Sequence, residues 1–213
     1  MTRKILYFTF AFLMVSPIGV AFSQTSSPEI PELKAIDSQI DNFYQSLDGF
    51  PPHFENDAQK QKTEANLKST LKILNDLAQK YPDNLKIETR LGECYRMAHN
   101  LDWKGAWEDS ERHLKKAISI KPQEPYPHLI LARLYVNTDP RFAPAAEKEF
   151  HKVLELSGGK AGLEEDAHRG LFFANYYQGK MKEAVAEADL YLKSHPENVE
   201  IKKLRDIAAQ KAK

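Results

Sequence analysis

The chain has 213 residues, 42% hydrophobic and 28% charged, a composition that fits a folded soluble protein and excludes wholesale disorder. Lys+Arg and Asp+Glu balance at 30 each, which removes any whole-chain electrostatic case for nucleic acid or an anionic membrane. Cys94 is the only cysteine, so no intramolecular disulfide is available and stability must come from a packed core.

The first predicted element is a targeting segment. Arg3 and Lys4 form a short positive region, Ile5 to Val15 is apolar except for Thr9, and Pro17 and Gly19 end any helix. Ala21-Phe22-Ser23 then places small residues on either side of a bulky one. That is the architecture of a secretory signal peptide over 1–23, with cleavage expected between Ser23 and Gln24 and a periplasmic or secreted mature protein. The apolar run is short for a membrane span, and Pro17 interrupts it, which disfavours an uncleaved anchor. Loss of Arg3 and Lys4 would leave a net charge of about −2. Residues 24–31 (QTSSPEIP) read as a flexible lead-in.

From Glu32 to Leu47, the residues Leu33, Ile36, Ile40, Phe43, Tyr44 and Leu47 recur at three- and four-residue steps, one face of a helix. Asp48 to Phe54 (DGFPPHF) breaks it, and beyond about Asn56 helical periodicity dominates without strand-like alternation. Leu67 to Pro82 reads as a helix ending in a turn phrase that recurs around Pro82, Pro122, Gly158 and Pro196, at successive steps of 40, 36 and 38 residues. Such a period predicts stacked helix pairs, and proline fits each turn because it cannot continue the preceding helix.

The segment from His168 to Asn198 resembles a tetratricopeptide repeat: Leu171 in the first helix, Gly179 at the inner turn, Ala184 in the second helix, Pro196 at the end. The pair from Leu85 to Pro122 carries Leu91-Gly92, Tyr95, Gly105, Trp107 and Ala117, with Arg96 to Lys104 about six residues longer than the family spacing. The pair from Pro125 to Gly158 carries Leu131-Ala132, Tyr135, Ala146 and Phe150. Departures from the family pattern are Glu88, His128 and His168 where a tryptophan opens the repeat, Phe172 in place of a small residue, and Asn175 in place of Tyr. The resemblance implies an all-α solenoid of stacked antiparallel helix pairs over 32–213. Repeats fall at about 65–84 (partial), 85–124, 125–160 and 165–198, with a capping helix at 199–212. The helix at Glu32 to Leu47 is the candidate partner of the partial repeat. Ala184 is expected to be buried between paired helices.

Chemistry-bearing motifs are absent. Glu165 and His168, three apart, and Glu147 and His151, four apart, lack the further ligands that a metal site needs, and no cofactor is expected. There is no Gly-x-Ser-x-Gly elbow, Ser157-Gly158-Gly159-Lys160 has the wrong spacing for a phosphate loop, and Cys94 follows a core pattern. An enzyme is therefore not expected.

The resemblance implies that first helices line a concave groove. The candidate groove residues are Lys86, Arg90, Glu93 and Met97 in the first pair, Tyr126, Leu129, Arg133 and Val136 in the second, and Arg169, Phe173, Tyr176 and Tyr177 in the third. Arginines mixed with aromatics favour a protein or peptide partner carrying carboxylates and apolar anchors. Thr89 and Glu93 stand where some family members place Lys and Asn to clamp a terminal carboxylate, so that clamp is not implied. The expected function is an exported protein–protein interaction module, a scaffold or adaptor of an envelope or secretion complex. The alternatives are a hydrolase using the groove as its cleft, or a self-associating structural subunit.

Overall fold

The computed structural model describes residues 30–49 and 51–213; the expected signal segment and most of the lead-in lie outside them. Among the described residues there are nine α-helices and no strand: α1 Pro31–Leu47, α2 Asp57–Lys80, α3 Leu85–Asn100, α4 Ala106–Ile120, α5 Pro125–Thr138, α6 Ala143–Leu156, α7 Ala161–Tyr177, α8 Met181–Ser194 and α9 Val199–Lys211.

Local chemistry sets the boundaries. Asn56, Asn84 and Asn198 accept hydrogen bonds from the backbone N–H groups that open α2, α3 and α9, satisfying donors with no intrahelical partner. Pro125 opens α5, where its missing N–H costs nothing. Gly179 lies at φ 75 between α7 and α8, a left-handed conformation that a side chain would strain. The extra residues after Arg96 lengthen α3 to Asn100 and form the turn before α4.

Helices α3 and α4, α5 and α6, and α7 and α8 are the principal antiparallel pairs, stacked in chain order. The expected contact residues are buried: Leu91, Ala117, Leu131, Ala146, Phe150, Leu171 and Ala184. Helix α9 seats Ile201 and Ala208 against Phe172, Ala184, Ala188 and Tyr191, closing the last pair as a cap. Successive first helices also touch, α3 on α5 and α5 on α7, so they form one continuous face. Helix α1 departs from the pair pattern. It touches α2 and α3 about equally, and far less than paired helices touch one another.

The residues standing where the family opens with tryptophan have a shared structural role. Glu88, His128 and His168 fall at 40-residue steps on α3, α5 and α7. Each is joined to the second helix of its pair by a 2.6 Å contact: Glu88 to His113, His128 to Glu149, His168 to Glu187. A polar cross-link thus replaces ring packing in every pair, with the acidic and imidazole partners exchanged in the first. Glu88 also meets Lys116 at 2.8 Å, while His113 stacks on Tyr95 with its Nε2 buried and unpartnered.

Burial pushes the His113 imidazole below the ordinary histidine range, against the pull of Glu88. The unfolded chain therefore takes up a proton that the folded chain resists. The stability tied to His113 is fully present above the ordinary histidine value and is lost as pH falls from there through the lowered value of the folded ring. The melting temperature should drop between about pH 7.5 and about pH 5.5, and the His113 ring resonances should titrate below about 6.5. Titration above that value would instead make the ring a charged partner of Glu88. Close helix approach gives a second test. A Cβ at Gly170 on α7 would overlap the Phe150 ring of α6, so Gly170→Ala should cost about 1–3 kcal/mol in denaturant unfolding, with partial recovery in Gly170→Ala/Phe150→Leu. An unchanged midpoint would mean that α6 and α7 give way freely.

Candidate functional site

The 40-residue step puts α3, α5 and α7 in register, so one stripe of each faces the groove. On α3 it is Lys86, Thr89, Glu93, Arg96 and Met97; on α5, Tyr126, Leu129, Arg133, Val136 and Asn137; on α7, Asp166, Arg169, Phe173, Tyr176 and Tyr177. Exposure along the stripe is graded. On α3, Thr89, Glu93, Arg96 and Met97 are all buried, and only Lys86 is exposed. On α5, Leu129 and Val136 are buried, and Tyr126 and Arg133 half-buried. On α7, Asp166, Arg169, Phe173 and Tyr176 are half-buried and Tyr177 is exposed.

Helix α1 accounts for much of this gradient. Its apolar residues Leu33, Ile36, Ile40, Phe43 and Leu47 are buried, and a neighbouring polar stripe faces the first helices. Asp37 accepts a 2.6 Å hydrogen bond from Arg90 Nε. The Tyr44 hydroxyl donates to the Glu93 carboxylate, which also accepts from Tyr126 at 2.7 Å. At the end of α1, Arg96 donates to the Asp48 carbonyl and carboxylate, both at 3.0 Å. Asn100 donates to the Leu47 carbonyl at 2.9 Å. These donors satisfy carbonyls left open at a helix C-terminus, and the arginine suits the negative end of its dipole.

The electrostatics follow from burial. Glu93 is 2% exposed and Arg96 1% exposed, so each depends on the partners just named. Burial, and then the adjacent Glu93 charge, push the Tyr44 phenol well above its ordinary range, so it remains a donor. Burial likewise raises Tyr126. Burial opposes the charge of Arg133, but Asp166 at 2.8 Å and Asp48 at 3.6 Å outweigh it and hold the guanidinium protonated. Burial pushes the Cys94 thiol up, which keeps it unreactive.

The structure separates the sequence candidates. Arg90, Glu93, Tyr126 and Arg133 face α1 or its end. Met97 (0% exposed) and Leu129 (1%) are core residues that offer no surface, and Val136 is buried as well. Arg133, Val136, Arg169 and Phe173 come together with Asp48, Asn137 and Asp166 around an open cleft of about 140 Å³ between α5, α7 and the end of α1. Tyr176 is turned to the cap, where Lys211 donates to its hydroxyl at 2.7 Å. Tyr177 is 45% exposed, and Lys86 stands at the far end of the stripe. The cleft lining pairs Asp48 and Asp166 with Arg133 and Arg169 beside Val136, Phe150 and Phe173, groups that offer ion pairing and apolar contact. Among the described residues no cluster of three His, Cys, Asp or Glu could hold a metal, and no helix is long and apolar enough to cross a membrane.

Sequence reasoning passed over Arg96, Asp166, Asp37 and Asp48, and took Tyr44 only as part of the apolar face of α1. The 40-residue register would have placed Arg96 beside Val136 and Tyr176, and Asp166 beside Tyr126. Asp37, Tyr44 and Asp48 lie at steps of seven and four, one face of a helix, beside the apolar stripe.

Tyr44→Phe removes one of two hydroxyl donors to a buried carboxylate and should cost about 1–3 kcal/mol. Hydrogen exchange should then quicken first across 31–47. Exchange in α1 that stays as slow as in α3 would show that the Glu93 contact does not hold α1 down.

No protein-family model matches the chain, and no curated protein is similar enough to be matched. Among solved structures, the crystal structure of a thermophilic TPR protein of Thermus thermophilus superposes with a TM-score of 0.56 at 19% identity, covering 84% of this chain and 93% of that one. The chain is thus a tetratricopeptide-like helical solenoid in fold.

Proposed function

We propose that the protein is an exported binding module that holds a protein partner across the open α5–α7 end of its groove. The observation that carries this reading is the gradient of exposure. The same stripe that α1 covers on α3 is left open on α7, where Arg169, Phe173 and Tyr177 offer a charge beside two aromatic rings. The TPR-like fold supports it, because stacked helix pairs present an extended surface rather than a closed pocket. Export rests on the sequence of 1–23, and an envelope or secretion complex is the setting that such a module would serve.

The test is a photo-reactive residue placed in turn at Tyr177 and at Ile73, which is exposed on α2. Cells producing the full chain should give discrete crosslinked protein species from position 177 and not from position 73, and Arg169→Glu should suppress them. The mature protein should begin at Gln24 by mass. Equal crosslinking from both positions would remove the groove from the account.

A further inference from the structure

The charges across the groove form a ladder. Arg96 meets Asp48 at 3.0 Å, Asp48 meets Arg133 at 3.6 Å, Arg133 meets Asp166 at 2.8 Å, and Asp166 meets Arg169 at 3.5 Å. Each carboxylate is shared by two guanidiniums, and Arg133 by two carboxylates. The ladder therefore holds three cations and two anions. Its excess falls at the open end, where Arg169 is 38% exposed and has Asp166 as its one carboxylate within 4.0 Å among the described residues.

One of the two carboxylates does not come from the first helices. Asp48 is delivered by the end of α1, outside the repeats, and Tyr44, one helical turn earlier, comes with it. The Tyr44 ring lies 5.9 Å from both Arg96 and Arg133, so a ring and a carboxylate arrive together at an arginine. The open end again presents an arginine, here with rings of its own beside it. Arg169 is followed on α7 by Phe173 and Tyr177, at one-turn steps, with ring centroids 6.5 Å apart.

We propose, resting on the groove reading above, that the open end takes a helical segment of a partner protein carrying an aromatic residue one turn before a carboxylate. The carboxylate completes the ladder on Arg169, and the ring packs against Phe173 and Tyr177. Helix α1 is the internal template for that ligand. The match is one of charge and of apolar contact together, since a carboxylate alone on a partly exposed arginine adds little.

The probe is a fluorescent peptide of residues 31–49, added to the full chain and followed by anisotropy. Saturable binding is expected. It should weaken about tenfold or more when the peptide carries Asp48→Lys or Tyr44→Ala, or when the protein carries Arg169→Glu. The Lys peptide should bind the Arg169→Glu protein better than the wild-type peptide does. Arg169→Gln, which removes the charge without reversing it, should fall between, and melting curves verify that each variant is folded. Absence of saturable binding, or binding indifferent to Arg169, overturns the proposal; the latter would mean that the peptide displaces α1 from α3. If the peptide fails while crosslinking at position 177 persists, the partner chemistry is wrong and the groove reading stands. If both fail, the groove reading falls as well.

Discussion

Two charged side chains on α3, Glu93 and Arg96, are buried almost completely and have to be satisfied from outside their own repeat. Uncompensated, a charge in that position costs several kcal/mol, more than most single contacts contribute. Tyr126 supplies one donor from the neighbouring repeat, and α1 and its end supply Tyr44 and Asp48, which leave only Arg96 Nε of that guanidinium unpartnered among the described residues. The position of α1 is thus fixed by polar complementarity as much as by its apolar face. A helix held by apolar contact alone could slide by a turn; one that must place a phenol on Glu93 and a carboxylate on Arg96 cannot.

That constraint divides the groove. The half over α3 is filled by the chain itself and behaves as interior. The half over α7 keeps polar and aromatic groups at the surface, close to the cap formed by α9. Three full pairs among the described residues make a short groove, and an intramolecular occupant makes the available part shorter still. The surface left open is then a few residues of α5 and α7, where one cleft, one arginine and two rings lie together.

Much of the fold was legible in the sequence. The recurring turn phrases marked the ends of the second helices. The 3.6-residue period marked the helices, and the small residues at positions such as Ala184 marked close contacts, all of them local or pairwise signals. The candidate site was legible only where it obeyed the repeat. Arg169, Phe173 and Tyr177 follow from the register of the first helices, whereas the covering of Met97 and Leu129 and the capture of Arg90 do not. Helix α1 lies outside the period; its Asp37 and the Asp48 that follows it read equally well as solvated, and Tyr44 as part of the apolar face. Recognising it as a seat-filling surface requires pairing it with Arg90, Glu93 and Arg96, and nothing in one sequence matches a carboxylate on one helix to a guanidinium about fifty positions away. The Glu88, His128 and His168 substitutions show the same limit: each looked like a lost tryptophan, and each proved to be half of a cross-link whose other half lies on a different helix.

The order of the chain gives the placement of α1 a kinetic meaning. Contacts within the repeats join neighbouring helices, so the stack can grow locally as each pair is completed. The polar contacts of α1 and its end with the first helices span 48 to 85 positions, from Asp48 with Arg96 to Asp48 with Arg133. Loop closure over such distances comes late, after the helices that form the seat exist. The occupant is therefore made before its seat and docks after the seat is built. Throughout that interval Leu33, Ile36, Ile40 and Phe43 are uncovered, and so are the buried charges of α3. The nascent chain carries a sticky helix and an unsatisfied seat at once, and either is open to a chaperone or to a second copy until they close on each other.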